Sequence, residues 1–163
     1  MTSIVTLERK ICIDSEFLNK NIINNIFTKI KDITNNECSK DIGYFLSIIK
    51  INKIKDNYIS PNCENVFIVE FEAETLKPDI GKNFKGEVCM IFSGGVFLNI
   101  KNKVKVLIPT ISLNEYEFNK TDNSYINKKD NKKKINVKDE LTVSITGSKY
   151  SKKNFSCFGN LIE

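Results

Sequence analysis

Phe97, Asn99 and Lys101 stand two residues apart in "SGGVFLNIKNKVKV", residues 93–106. As a strand, this run turns Val96, Leu98 and Ile100 to one face and Phe97, Asn99 and Lys101 to the other. In the next run, Val104, Val106 and Ile108 alternate with Lys103, Lys105 and Leu107. With the valines in the core, Lys103 and Lys105 face outward beside Phe97. Further on, "GSKYSKKN" adds Lys149, Tyr150, Lys152 and Lys153. An exposed ring among ammonium groups suits a single-stranded nucleic acid: a base stacks on the ring for about 1–3 kcal/mol while lysines hold phosphates. Every base has a π-face, so such a site tolerates many sequences. The same spacing also suits a Phe97 packed under a loop or against the first half of the chain, with lysines that only solvate a face. The run "NKKKINVK" is less specific and reads as a solvated loop.

Other chemistries have fewer residues to work with. The chain has no histidine, which removes the commonest general base and the usual partner of a serine or cysteine nucleophile. Cys12, Cys38, Cys63, Cys89 and Cys157 are dispersed, without C-x-x-C spacing. They read as reduced intracellular thiols, not as a disulfide framework or a zinc site. Glu70, Glu72 and Glu74 recur with a period of two, as on a solvated or partner-facing sheet surface. Glu115 and Glu117 read as an exposed acidic pair. "SGG" lacks the spacing of a phosphate loop. No catalytic residue, metal or cofactor is expected.

The elements that would position the lysines fall in the second of two halves. The chain has 163 residues and net charge +5. Residues 1–78 carry ten basic and eleven acidic side chains, net −1; residues 79–163 carry fifteen and nine, net +6. The positive excess lies beyond the break marked by Pro78 and Gly81, which hints at an anionic partner for that half. The first half reads as a strand "IVTLERKICI" and a helix from about Glu16, capped by Asp14 or Ser15. The helix carries a stripe of Leu18, Ile22, Ile26, Ile30 and Ile33, widened by Ile23 and Phe27. Strands follow at "GYFLSIIKINKI" and "VFIVEFEAETL", with "DNYISPNCEN" a loop between them. This predicts a small α+β unit. The second half predicts five short strands, "GEVCMIF", "GVFLNIK", "KVKVLIP", "ELTVSITG" and "FSCFGNLI". A polar loop over residues 114–138 separates the third from the fourth, the pattern of a five-stranded OB β-barrel. No apolar run reaches the roughly 18–20 residues of a membrane span, and "MTSIVTLERK" does not read as a secretory signal, so no membrane partner is expected. The abundance of Asn, Ile and Lys with little Ala is the usage of an AT-rich genome.

In this order, the parts resemble the stalk subunit, or seventh-subunit family, of eukaryotic- and archaeal-type multisubunit RNA polymerases. "LERKICI" with Phe17 resembles the opening of the family's tip. "GYFLSIIKINKI" is similar to its glycine-led strand, and "YISP" (58–61) to its turn. "FEAETLKPDIGKNFKGEV" resembles the hinge, "GGVFLNI" the second barrel strand, and "SYI" (124–126) a tyrosine site in the long loop. "SITGSKYSKKNFSCFGNL" resembles the last two strands. The sequence departs at Leu18 after Phe17 and at Asn57, Asn62 and Glu64 around the turn, where the family has glycines. The resemblance implies a truncated ribonucleoprotein-like tip domain (1–78) followed by an OB domain (79–163) of the ribosomal-protein S-one kind, in a non-catalytic subunit. Phe17, Leu18, Asn57, Tyr58, Ile59, Pro61 and Asn62 would dock on the large subunits of the polymerase core, and the barrel would bind nascent RNA. A second stalk subunit is a further candidate partner. The diverged tip, compact length and AT-rich usage resemble a version from a large cytoplasmic DNA virus, in the infected cytoplasm and virion; otherwise the setting is nuclear. A free-standing single-stranded RNA-binding factor for translation or RNA chaperoning is the other reading of the barrel.

Overall fold

The computed structural model describes residues 2–162. The described chain divides into two compact units, Thr2–Lys77 and a second from Pro78 onward.

The first unit is a four-stranded antiparallel sheet in the order β1-β4-β3-β2 with one long helix. Its elements are β1 (Ser3–Ile13), α1 (Ile22–Thr34), β2 (Cys38–Ser39), β3 (Gly43–Ile59) and β4 (Asn65–Leu76). In β4 the strict alternation holds: Phe67, Val69, Phe71 and Ala73 are buried, and Glu70, Glu72 and Glu74 are half-exposed. Ile26 and Ile30 of α1 close this core with Ile11, Ile13, Phe45 and Ile48. Full burial of each such side chain is worth about 1.5–3 kcal/mol. The glutamates form a salt-bridged surface, Glu70 with Lys55 and Glu72 with Lys50. Among the described residues no acidic or thiol cluster is arranged to hold a metal.

Three expectations change in this unit. The helix begins at Ile22, not near Glu16. Ser15–Phe17 form only a 3-10 turn, and Asp14 makes no side-chain cap bond. Asn19 interrupts the chain there: its Oδ1 accepts from the Asn21 amide at 2.9 Å and from Asn25 Nδ2 at 3.3 Å. Such side-chain bonds compete with helix formation. Leu18 therefore lies outside the helix, and Ile23 and Ile33 are exposed. The stretch Asp56–Ile59 belongs to β3, so only residues 60–64 turn. β3 also runs to a different rhythm from its partner. Ser47, Lys50, Lys53 and Asp56 face Glu74, Glu72, Glu70 and Ile68, with bulges at three-residue intervals. Three residues of β3 span two of β4, and Phe45, Ile48, Ile51 and Ile54 recur on its core face. Each bulge adds twist and bends the strand.

The second unit is a closed barrel of β5 (Asn83–Phe92), β6 (Gly95–Ile100), β7 (Val104–Pro109), β11 (Glu140–Ser151) and β12 (Asn154–Ile162). Around the barrel the order is β5-β6-β7-β12-β11, closed by β11 on β5; β12 and β7 run parallel and the other pairs antiparallel. This is an OB-type barrel. Val88, Val96, Leu98, Val104, Val106, Ile108 and Val143 fill it with no exposed surface.

The segment 114–138 is not an unstructured loop. It forms a three-stranded antiparallel sheet of β8 (Tyr116–Asn119), β9 (Ser124–Asn127) and β10 (Lys134–Ile135). Its charge sits on the outside, while Tyr125 and Ile135 are buried. Glu115 is half-buried and ion-paired with Lys129, whose ammonium holds its carboxyl below the usual range. Cys12, Cys63 and Cys89 are exposed thiols; Cys38 and Cys157 are buried, and burial pushes both thiols up. Among the described residues no helix is long and apolar enough to cross a membrane.

Candidate nucleic-acid interface

The outer face of the barrel is built by strand alternation. Val96, Leu98 and Ile100 point inward, so Phe97 and Asn99 point out. Phe97 pairs with Met90 on β5 and Leu107 on β7, and Leu107 pairs with Phe158 on β12. Met90, Phe97, Leu107 and Phe158 thus form one apolar row across four neighbouring strands. Met90 and Phe158 are 55% and 51% exposed, a degree that core packing does not explain. Phe92 adds a second ring beside Phe97, with centroids 5.7 Å apart and planes 21° apart. Phe97 itself is half-buried, because Phe92 covers part of it.

The cations are distributed unevenly around this row. Lys105 is exposed on β7 directly opposite Asn99. Lys149 pairs with Ser156 on the outer surface, one outward position from the Gly147–Phe158 pair. Lys101 and Lys103 belong to the β6–β7 turn, not to strand faces; Lys101 and Asn102 are left-handed there, with φ of 52° and 56°. Asn99 Nδ2 donates to Asn102 Oδ1 at 2.9 Å and ties the turn to the strand. The segment 147–154, which joins the last two expected strands and reads from sequence as a loop, is mostly strand. Gly147 sits at a bulge in β11, the strand runs on to Ser151, and only Lys152 and Lys153 turn. Tyr150 is turned away from Phe97: it shares the side of Cys157 and packs on Phe155, 5.1 Å between centroids. Glu87 lies opposite both Asn99 and Glu140, so one rim of the face is acidic.

The face therefore brings together Phe97, Asn99, Lys105 and Lys149, places Lys101, Lys103, Lys152 and Lys153 in two turns, and leaves Tyr150 out. Sequence reasoning missed Phe92, Met90 and Phe158. Phe158 was accessible from the alternation of "FSCFGNL" about Cys157 and Gly159; the stacking of Phe92 on Phe97 across a turn has no sequence signature.

In the first unit, Phe17, Leu18, Asn57, Tyr58, Ile59, Pro61 and Asn62 are all exposed. They gather at one end of the sheet. Asn65 pairs with both Ile13 and Ile59, and its Nδ2 donates to Ile13 O and Ser15 Oγ, each at 3.3 Å.

Residues 77–157 match the family model of the S1 RNA binding domain. Among solved structures the chain is similar to the apo form of Mycoplasma genitalium RNase R, at 26% identity over 51% of this chain with a TM-score of 0.42. It is similar also to that enzyme in complex with ribose methylated single-stranded RNA, again at 26% identity over 51% of this chain, TM-score 0.43. The match spans 13% of the RNase R chain in each case. No curated protein matches the chain.

Proposed function

We propose that this protein is a non-catalytic binder of single-stranded RNA, gripping it on the outer face of the barrel. One observation carries the reading: the outward-facing row Met90, Phe97, Leu107 and Phe158, with Phe92 and two outward lysines, lies on a barrel that matches the S1 RNA binding domain. Bases stack on the rings and the apolar row, while Lys105 and Lys149 take phosphates, a division of labour that is indifferent to sequence and sensitive to salt. The test is fluorescence anisotropy of a labelled 12-nucleotide RNA. Phe97→Ala should weaken binding by about 1–3 kcal/mol. Equal affinity of Phe97→Ala and the parent chain overturns the reading.

A second reading adds a partner. The chain has a separate unit with its own core and an exposed apolar end. Such an end around Phe17, Leu18, Tyr58 and Ile59 suits docking on a larger assembly. With the family resemblance of the whole chain, this favours a stalk subunit of a DNA-directed RNA polymerase. The first unit would dock on the large core subunits and the barrel would catch emerging transcript, with room for a second stalk subunit. The setting would be an infected cytoplasm and virion for a viral enzyme, or a nucleus. Affinity purification from the native source with mass spectrometry separates the readings. Large polymerase subunits that are lost on Tyr58→Ala with Ile59→Ala support the stalk; RNA alone, with no polymerase, refutes it.

A further inference from the structure

The sheet of residues 114–138 reaches the β5–β6 turn through the side chain of Tyr125. Tyr125, on β9, has no exposed surface, and its ring packs on Phe118 with centroids 5.4 Å apart. Its hydroxyl lies 2.9 Å from the carbonyl oxygen of Phe92, to which it donates, and 3.1 Å from Thr110 Oγ1. Thr110 Oγ1 donates to the Ser93 carbonyl at 2.9 Å, and the Thr110 amide donates to the Gly94 carbonyl at 3.0 Å. Three successive carbonyls of the β5–β6 turn, Phe92, Ser93 and Gly94, are thereby held by two residues. The two hydroxyls have one proton each for three contacts, so two of the three are hydrogen bonds at a time; with both protons on the carbonyls, Tyr125 and Thr110 hold Phe92 and Ser93.

The turn needs this restraint. It is a two-residue connection, Ser93-Gly94, followed by Gly95 at φ 149°. Glycines cost the most backbone freedom on ordering. The turn also carries the ring that matters. A Cβ on Gly94 would lie 2.6 Å from Phe92 Cε2, so the Phe92 ring lies over Gly94 and against Phe97.

We infer that Tyr125 is a positioning residue for the nucleotide face. With Thr110 it locks the Phe92–Gly95 turn, and so holds the Phe92 ring on Phe97 for a base of the RNA strand. The inference rests on the RNA-binding reading of that face, and it gives the 114–138 sheet a function at the site.

Tyr125→Phe in the full chain removes one oxygen and keeps the buried ring. Affinity for a 12-nucleotide poly-uridine RNA is expected to fall about three- to tenfold, a part of one stacked base, while the melting temperature moves little. In a Phe92→Ala background the same change is expected to have no further effect on affinity, which a merely structural role would not produce. In the absence of RNA, hydrogen exchange at the Thr110 amide is expected to quicken, since its Gly94 acceptor is released. Thr110→Val removes the other hydroxyl and serves as the second variant where Tyr125→Phe folds poorly. Unchanged Thr110 exchange in the folded variant overturns the inference, whatever the RNA result. Additive losses in Tyr125→Phe and Phe92→Ala also overturn it. Failure of Phe97→Ala to weaken binding instead refutes the RNA face, and the exchange experiment still decides whether Tyr125 holds the turn.

Discussion

Phe97 and Lys105 sit one outward position apart on neighbouring strands, yet they contribute different energies. A ring gives stacking, which salt barely touches; an ammonium gives counterion release. Lys105→Ala should lower the slope of log affinity against log salt by about 0.7, the single-strand value per phosphate contact. Phe97→Ala should lower affinity at every salt concentration and leave the slope unchanged. Titrations between low and moderate salt check both. In the first unit, Lys55 bridges Glu8 and Glu70. The bond from Lys55 holds the Glu70 carboxyl below its usual range, and the bond to Glu8, then that to Glu70, raises the Lys55 ammonium. The Glu70 contribution is present above the ordinary carboxylate pKa and disappears as pH falls through the lowered one. The Lys55 contribution is full below the ordinary lysine pKa and disappears as pH rises through the raised one. Melting temperature against pH should therefore decline at both ends, and Glu70→Gln should shallow both declines. Lys55 is exposed and Glu70 half-exposed, so the changes are small.

Among the elements, the β11–β12 hairpin combines strain and charge in one turn. Lys152 and Lys153 have φ of 50° and 60°, the left-handed pair of a type I′ turn that Asn-Gly fills with least strain. Replacing them by Asn-Gly should stabilise the fold by about 1 kcal/mol. The same change should weaken RNA binding and lower its salt slope if the turn touches phosphate; a melting curve beside an anisotropy titration reads both. What the sequence made legible at this scale follows from period. β4, β6, β7 and β12 alternate cleanly, so their core and outer faces were readable, Phe97 among them. β3 was read too short because its bulges replace the two-residue period by a three-residue one, and Asp56 to Ile59 then look like loop. The sheet of 114–138 was hidden by its lysines. Its core is a few residues, Tyr125 and Ile135 foremost, and two or three apolar positions in a charged run carry no periodic signal. The helix start was masked by Asn19, whose side-chain bonds are local chemistry that a hydrophobic stripe does not report.

At the scale of the molecule, the charge division follows the structural one. The barrel half holds the positive excess and the outward rings; the sheet half is near neutral and ends in exposed apolar residues. In the proposed reading the RNA contact falls to the barrel half and the protein contact to the sheet half. The sheet half also has a long exposed margin, because β2 covers only Gly43 and Tyr44 and leaves β3 from Phe45 to Ile59 without a second neighbouring strand among the described residues. An even row of free amides and carbonyls of that length would recruit copies of itself. The irregular spacing along β3 denies a second molecule any matching register, so crowding should not drive self-assembly into fibrils. Light scattering of the concentrated protein should stay flat over days.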